Sequence, residues 1–246
     1  AFAAQMNEAE PGLVKVIVDE QRYEAYRNQE VRVNGKSHRF TLVLPEQATE
    51  EADLILIAVK GHHLAETITL IRPLVGEKTI IMSLLNGITS EEEIGKAYGP
   101  EKLLHSFVVS TDATREGRTT RYTNLGRIVF GDKDDPQSPK VQAVQELFDR
   151  TGVPYTIPPD IMRELWWKFM LNVGANQVSA VLKAPYGVFH KVKEVRELIT
   201  MACQEVVQIA ERIGINLTAA DIDVCHEILG QLAPEGKTSM LQDVEA

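Results

Sequence analysis

The sequence predicts an α/β protein that gives way to an all-α segment, and three observations carry that reading. Short aliphatic runs alternate with helical patterns through the first part of the chain, the signature of βαβ units around a mainly parallel sheet. Those runs are apolar almost without interruption, as strands covered on both faces must be. From Pro159 onward strand signals largely vanish and three helical patterns fill the rest, which places a domain boundary near residue 158 and divides the chain into 1–158 and 159–246.

Taken in order, AFAAQM at the start reads as the inside of a small-residue helix, and SMLQDVEA at the other end carries no visible C-terminal signal, so both ends are expected to be incomplete. VKVIV (14–18), LILIAV (54–59) and TIIMSLL (79–85) are the clearest strands. HLAETITLIRPL (63–74) sets Leu64, Ile68 and Ile71 at helical spacing and returns the chain from one strand to the next. HSFVVST and TTRYTNLGRIVFGD then follow a more antiparallel pattern, with Gly126 as a turn or bulge. In the next helix Ser138 can cap, Pro139 suits the first turn and Gly152 closes the end. VPYTI (153–157) supplies a last strand, and the helical patterns cover 161–182, 192–213 and 219–232.

Composition narrows the function. At 246 residues with 44% hydrophobic content the chain can fill one large core or two ordinary ones. A formal charge of -9, with no dense Lys/Arg block, argues against nucleic acid as a partner, although a local basic pocket for one small anion stays open. LILIAV, the longest aliphatic run, is far short of the ~20 residues that span a bilayer, so no membrane crossing is expected. Cys203 and Cys225 lack metal-ligand spacing and read as small buried hydrophobes; with no signal peptide, they suggest a reducing cytoplasm.

The chemistry-bearing residues cluster at strand ends and on one helix. No GxGxxG or GxxxxGK[ST] occurs, so nucleotide binding rests on the fold, with ligands at the carboxyl ends of the strands. After VKVIV comes DEQR, where Asp19 suits a ribose hydroxyl and Arg22 a 2′-phosphate, unless the segment is a solvated strand end. Lys60 follows LILIAV and Asn86-Gly87 follows TIIMSLL, both opening on the same crevice; an Asn-Gly pair is also an ordinary turn. In ELWWKFMLNVGANQVSA (164–180), Lys168, Asn172 and Asn176 stand four apart and drift only ~80° over roughly 12 Å of helix, forming one polar stripe. Leu165, Trp166, Phe169, Met170, Leu171, Val173 and Val178 cover much of the remaining circumference. A buried amide or ammonium without partners costs several kcal/mol, hence the stripe faces water, another domain or something that hydrogen-bonds it. Gly174, unfavourable in mid-helix, permits close approach of a backbone or a ligand. One cation of lowered pKa and two neutral amides suit a small keto acid whose carbonyl oxygen must gain a proton.

Through LILIAVK, SLLNG, the Lys-x3-Asn-x3-Asn helix and SMLQDVEA, in that order along the chain, the sequence resembles the ketopantoate reductase (2-dehydropantoate 2-reductase) family. The resemblance implies an N-terminal Rossmann-like dinucleotide-binding domain, with its first strand and glycine loop before AFAAQM, and an all-α C-terminal domain for the substrate. It implies hydride transfer from NADPH, with NADH open because DEQR offers both residue types, to the keto carbon of 2-dehydropantoate, giving pantoate on the route to pantothenate and coenzyme A. By position Lys168 is then the general acid, and Asn172, Asn176 and Ser239 hold the substrate. Asn86 touches both nicotinamide and substrate, Lys60 lies near the cofactor and Ala113 on its nicotinamide side. No metal is implied, and a homodimer is left open.

Two departures qualify the resemblance. The family's glycine loop and its glutamate beyond SMLQDVEA are outside the chain, which as it stands is not expected to turn over. Tyr186 replaces the asparagine that many relatives carry in a Pro-Asn-Gly turn, which opens the identity of the 2-keto acid. The rivals are an NAD(H)-dependent dehydrogenase for D-2-hydroxy acids and a non-catalytic dinucleotide-binding protein.

Overall fold

Aliphatic runs and helix caps lay down the first part of the chain. The structure, a computed structural model, describes residues 1–245. It divides into two units, Ala1–Ile161 and Met162–Ala246. The first opens with α1 (Phe2–Ala9), β1 (Lys15–Ile17), α2 (Glu20–Tyr26), β2 (Val31–Val33), β3 (Lys36–His38), β4 (Thr41–Val43), β5 (Leu54–Ile57), α3 (Leu64–Leu70) and β6 (Ile80–Ser83). It continues through α4 (Ser90–Tyr98), β7 (Leu103–Val109), β8 (Thr114–Glu116), β9 (Thr119–Arg121), β10 (Arg127–Gly131), α5 (Pro139–Thr151) and β11 (Tyr155–Thr156).

The main sheet has the order β11-β10-β7-β6-β5. β5, β6 and β7 run parallel, β10 is antiparallel to β7, and β11 is parallel to β10. Neighbouring residues of a strand point to opposite faces, and both faces are covered. Ile81 and Leu103 join Ile55, Ile57, Leu64 and Ile94 on one face, beneath α3 and α4. Met82 and Leu104 join Ile128, Phe130, Val141 and Phe148 on the other, beneath α5. The Phe130 and Phe148 rings meet edge to face at 5.5 Å.

Local signals are obeyed closely at α5. Ser138 accepts from the Val141 N–H, Pro139 is the first helical residue, and Gly152 ends the helix in the left-handed region at φ 69°. Gly126 turns the chain into β10 at φ 75°; a Cβ there would stand 2.3 Å from the Val109 carbonyl oxygen, so only glycine fits.

Two expectations change. VKVIV does form a strand, β1, but it pairs with β4 in a two-stranded sheet of its own instead of joining β5. DEQR is not a bare strand end: Asp19 caps α2. A third sheet, of order β3-β2-β9-β8, is built from two tight hairpins. Asn34-Gly35, both at positive φ, turn β2 into β3, and Gly117-Arg118 turn β8 into β9.

The second unit is helical. α6 (Ile161–Leu171) leads into a π-helical turn (Asn172–Gln177), then α7 (Val178–Leu182), α8 (Tyr186–Lys191), α9 (Lys193–Arg212), α10 (Ala219–Gln231) and α11 (Ser239–Glu245). The periodicity predicts one uninterrupted α-helix over 161–182; the π-turn in its middle is the correction. Gly174 lies within it, where α9 packs closely: a Cβ there would lie 2.5 Å from the Cys203 Sγ and 3.3 Å from the Ile199 Cγ2, both on α9. The close approach that Gly174 permits is therefore that of a neighbouring helix. Among the described residues no helix is long and apolar enough to cross a membrane.

Candidate functional site

In the first unit, three loops leave the same end of the main sheet. Ile57 on β5 is in register with Ser83 on β6, so Lys60 and Asn86 each follow the paired position by three residues. β7 runs parallel to β6, and Ala113 stands in the loop beyond its carboxyl end. All three residues are exposed. The Lys60 carbonyl accepts from the His63 N–H at 2.9 Å and starts the turn toward α3. Gly87 adopts φ 112°, and no atom lies within 4 Å of where its Cβ would be, so bare backbone faces open space beside Asn86. Ala113 is held by its N–H on the Thr111 hydroxyl at 3.3 Å.

A buried relay supports the Asn86-Gly87 turn. Ser83 Oγ meets Ser90 Oγ at 2.8 Å, Ser90 Oγ donates to Glu91 Oε2 at 2.9 Å, and the Ser106 hydroxyl donates to the Ser83 carbonyl at 2.7 Å. Glu91 is only 5% exposed, and burial raises its carboxyl pKa. The relay ties the end of β6 to the start of α4, so it braces both sides of the turn. Sequence reasoning missed Glu91; the run of three glutamates after Ser90 marked a helix start but not which carboxylate turns inward.

Asp19 and Arg22 follow β1. Asp19 Oδ1 accepts from the Arg22 N–H at 2.7 Å, and its other oxygen faces the Arg22 guanidinium at 3.3 Å. The structure thus joins these two to each other at the start of α2, just after a strand outside the main sheet's hydrogen bonding. A carboxylate locked at a helix start and a half-exposed guanidinium are the donor and acceptor types that a dinucleotide's ribose end requires.

In the second unit the π-turn spans both asparagines of the expected polar stripe. Asn176 Nδ2 donates to Asn172 Oδ1 at 3.3 Å, so the two amides share a face and orient each other. That leaves the Asn172 amide group to donate and the Asn176 oxygen to accept. Lys168 lies one turn earlier, partly buried, and desolvation pushes its pKa from the ordinary 10.5 down to about 8. π-turns widen a helix locally and are frequent at functional sites.

Two anchors hold this helix. Arg163, near its start, pairs with Asp221, whose other oxygen accepts from the Thr218 N–H at 2.8 Å in a capping box. Ser239 is exposed and begins α11, which packs on the π-turn and α7. Buried Thr238, unflagged by the sequence reading, caps that helix through the Leu241 N–H at 3.1 Å. Tyr186 serves the same loop: its N–H donates to the Gly236 carbonyl at 3.0 Å, and its ring lies where a Gly236 Cβ would need to be. Cys203 and Cys225 are buried free thiols, as read from the sequence.

Family models decide what this arrangement belongs to. The model described as ketopantoate reductase PanE/ApbA matches residues 1–135, and that for the ketopantoate reductase PanE/ApbA C terminal matches residues 160–246. The chain belongs to the ketopantoate reductase family. The resemblance and the α/β-plus-helical fold class stated from the sequence both hold. Within the ketopantoate reductase family, a 2-dehydropantoate 2-reductase of Aquifex aeolicus (strain VF5) is 25% identical over 199 residues, covering 78% of this chain and 64% of that protein. The uncharacterized oxidoreductase YkpB of Bacillus subtilis (strain 168) is 21% identical, covering 80% of this chain and 65% of its own. The chain thus spans less than two thirds of the length of these relatives. Among solved structures, a 2-dehydropantoate 2-reductase from Geobacter metallireducens GS-15 superposes with a TM-score of 0.85 at 23% identity, over 99% of this chain and 82% of the other. A D-mandelate dehydrogenase solved with NADH and anilino(oxo)acetate has the same fold, with a TM-score of 0.85 at 18% identity, over 99% and 81%.

Proposed function

We propose that the protein carrying this chain is a nicotinamide-dinucleotide-dependent 2-keto acid reductase that converts 2-dehydropantoate to pantoate, on the way to pantothenate and coenzyme A. The observation that carries the reading is the Lys168 ammonium, lowered to about 8, on a stripe with two mutually oriented asparagines. Residues 1–158 serve the nucleotide and 159–246 the substrate. When bound, the nicotinamide would supply the hydride that reduces the keto carbon.

The chain's own residues do the rest. Lys168 hydrogen-bonds the keto oxygen and transfers a proton to it as that oxygen gains negative charge; a donor of pKa near 8 is well matched to neutral pH. Asn172 and Asn176, with Ser239, hold the carboxylate and hydroxyl of the substrate without adding charge. Asn86 contacts both nicotinamide and substrate, Lys60 lies toward the cofactor, and Ala113 flanks the nicotinamide. Bare backbone at Gly87 lets a flat ring approach the strand end. Arg22 takes the 2′-phosphate of NADPH. Asp19, fixed by its cap on α2, favours a second reading in which NADH is used and the substrate is another branched 2-keto acid.

The test is substrate-dependent consumption of NADPH and of NADH by the protein carrying this chain, against a panel of 2-keto acids. Lys168→Ala should cut kcat by about 10²–10⁴-fold while nucleotide affinity is kept. Activity should fall as pH rises through about 8, because the acid form of Lys168 is the one required. Near-normal turnover in the variant removes Lys168 as the acid. No oxidation with any keto acid leaves only the dinucleotide-binding rival.

A further inference from the structure

The β3-β2-β9-β8 sheet carries a concentration of positive charge that the proposed reaction does not use. A cavity of about 590 Å³ on it is lined by Arg32, Arg39 and Arg118 against a single carboxylate, Glu30, in a chain where acidic residues outnumber basic ones by 35 to 26. Three elements bring the arginines there. Val33 is buried, so the alternation along β2 turns Arg32 outward. Arg32 is paired in register with Thr119 on β9, and its N–H donates to the Arg118 carbonyl at 2.9 Å, which makes Arg118, in the β8–β9 turn, its neighbour. Arg39 follows β3 and reaches Glu30 only at 3.9 Å. Among the described residues neither Arg32 nor Arg118 is paired with a carboxylate.

Two unpaired guanidinium groups on hydrogen-bonded neighbours repel each other unless an anion lies between them. Guanidinium is the planar, doubly donating group suited to phosphate oxygens. The cavity is larger than inorganic phosphate needs and falls within the range of small-molecule sites, and the neutral amide of Asn28 and hydroxyl of Thr119 on its wall can bind an uncharged remainder. Lys60 and Asn86 stand at the carboxyl end of the main sheet, Ala113 precedes β8 at the opposite end of that strand from the Arg118 turn, and none of the site residues described above lines this cavity.

We propose that the arginine-lined cavity on the four-stranded sheet binds a small phosphorylated compound, gripped by its phosphate between Arg32 and Arg118 with Arg39 as a third contact. The proposal does not depend on the reductase reading. Inorganic pyrophosphate is the probe, titrated into the isotopically labelled protein, with citrate as a carboxylate comparison. The expected result is saturable shifts of the Arg32, Arg118 and Thr119 amide resonances. Affinity should drop roughly tenfold or more in Arg32→Gln/Arg118→Gln, as loss of charged hydrogen bonds requires. Arg118→Gln alone, at an exposed hairpin turn, keeps the test valid if the double variant unfolds, and should weaken binding by a smaller factor. Absence of saturable shifts, shifts centred on Gly61 and Gly87 instead, unchanged affinity in the variants, or citrate binding as tightly as pyrophosphate would each overturn it.

Discussion

Replacing Lys168 by methionine tests the physical state of the site without any assay of activity. In the unfolded chain this lysine titrates near 10.5; in the folded protein, near 8. Between those values the unfolded state holds a proton that the native state lacks, so native stability rises with pH by about 1.4 kcal/mol per unit. A depressed folded pKa therefore contributes stability that is present above pH 10.5 and is lost as pH falls through 8. Over the whole interval the difference is of order 3 kcal/mol, the cost of keeping the ammonium partly desolvated at pH 7. Methionine has similar length and no charge, so Lys168→Met should be more stable than the parent by about that amount at pH 7, with the gap closing toward zero near pH 10.5. Urea unfolding of both proteins across that range, taken as a difference, cancels every other titrating group. A gap that does not change with pH, or a less stable variant at pH 7, would falsify the desolvation account. A more stable and catalytically dead variant is the joint expectation with the proposed function, and is a usual exchange at active sites.

Other residues give independent tests. Gly174→Ala places a Cβ 2.5 Å from the Cys203 Sγ, so α9 or the π-turn must shift; a loss of about 1–3 kcal/mol in chemical denaturation is expected, and an unchanged midpoint would show that the contact is not tight. Glu91 has a raised carboxyl pKa, so its contribution to stability is full below the unfolded value and falls as pH rises through the folded one; Glu91→Gln, which can still accept from Ser90, should gain on the parent in thermal melts as pH rises above the ordinary carboxylate range, and a gap that does not change with pH would refute this. Asp221→Ala removes one of two carboxylates beside Arg163, Glu164 staying at 3.1 Å, and uncaps α10, so it should cost about 1–2 kcal/mol in denaturant titration; a loss below about 0.5 kcal/mol would show the pair to be peripheral.

How much of this was legible in the sequence depends on whether the cause is local. The α5 helix was readable end to end because Ser138, Pro139 and Gly152 act within four residues of where they stand. β5 and β6 were readable because strands buried on both faces need no pattern beyond apolarity. The small sheet was not: β2, β8 and β9 are three residues each, too short for alternation to accumulate, and the one local signal, Asn34-Gly35, was passed over. Helices α8 and α11, of six and seven residues, fall below the length at which helical periodicity can be told from chance. At the candidate site, four-residue spacing correctly put Asn172 and Asn176 on one face. The Ser83–Ser90–Glu91 relay could not be read, because its members meet only after β6 and α4 have packed.

The π-turn shows why a site can be half visible in sequence. Spacing of four in an α-helix lets a polar stripe wander by about 40° at each step. A π-turn, with its wider i to i+5 bonding, advances less per residue and draws the later member back toward the earlier one. The widening occurs where Gly174 removes the side chain that would keep α9 away, so a contact on the apolar side of the helix sets the geometry of the polar side. The asparagines then bond each other and present one donor and one acceptor, in place of two independently rotating amides. It follows that Gly174 belongs to the site's design as much as the residues of the stripe do. Its substitution should disturb the Asn172–Asn176 pair before it disturbs Lys168, which lies in the regular α-helical turn preceding it.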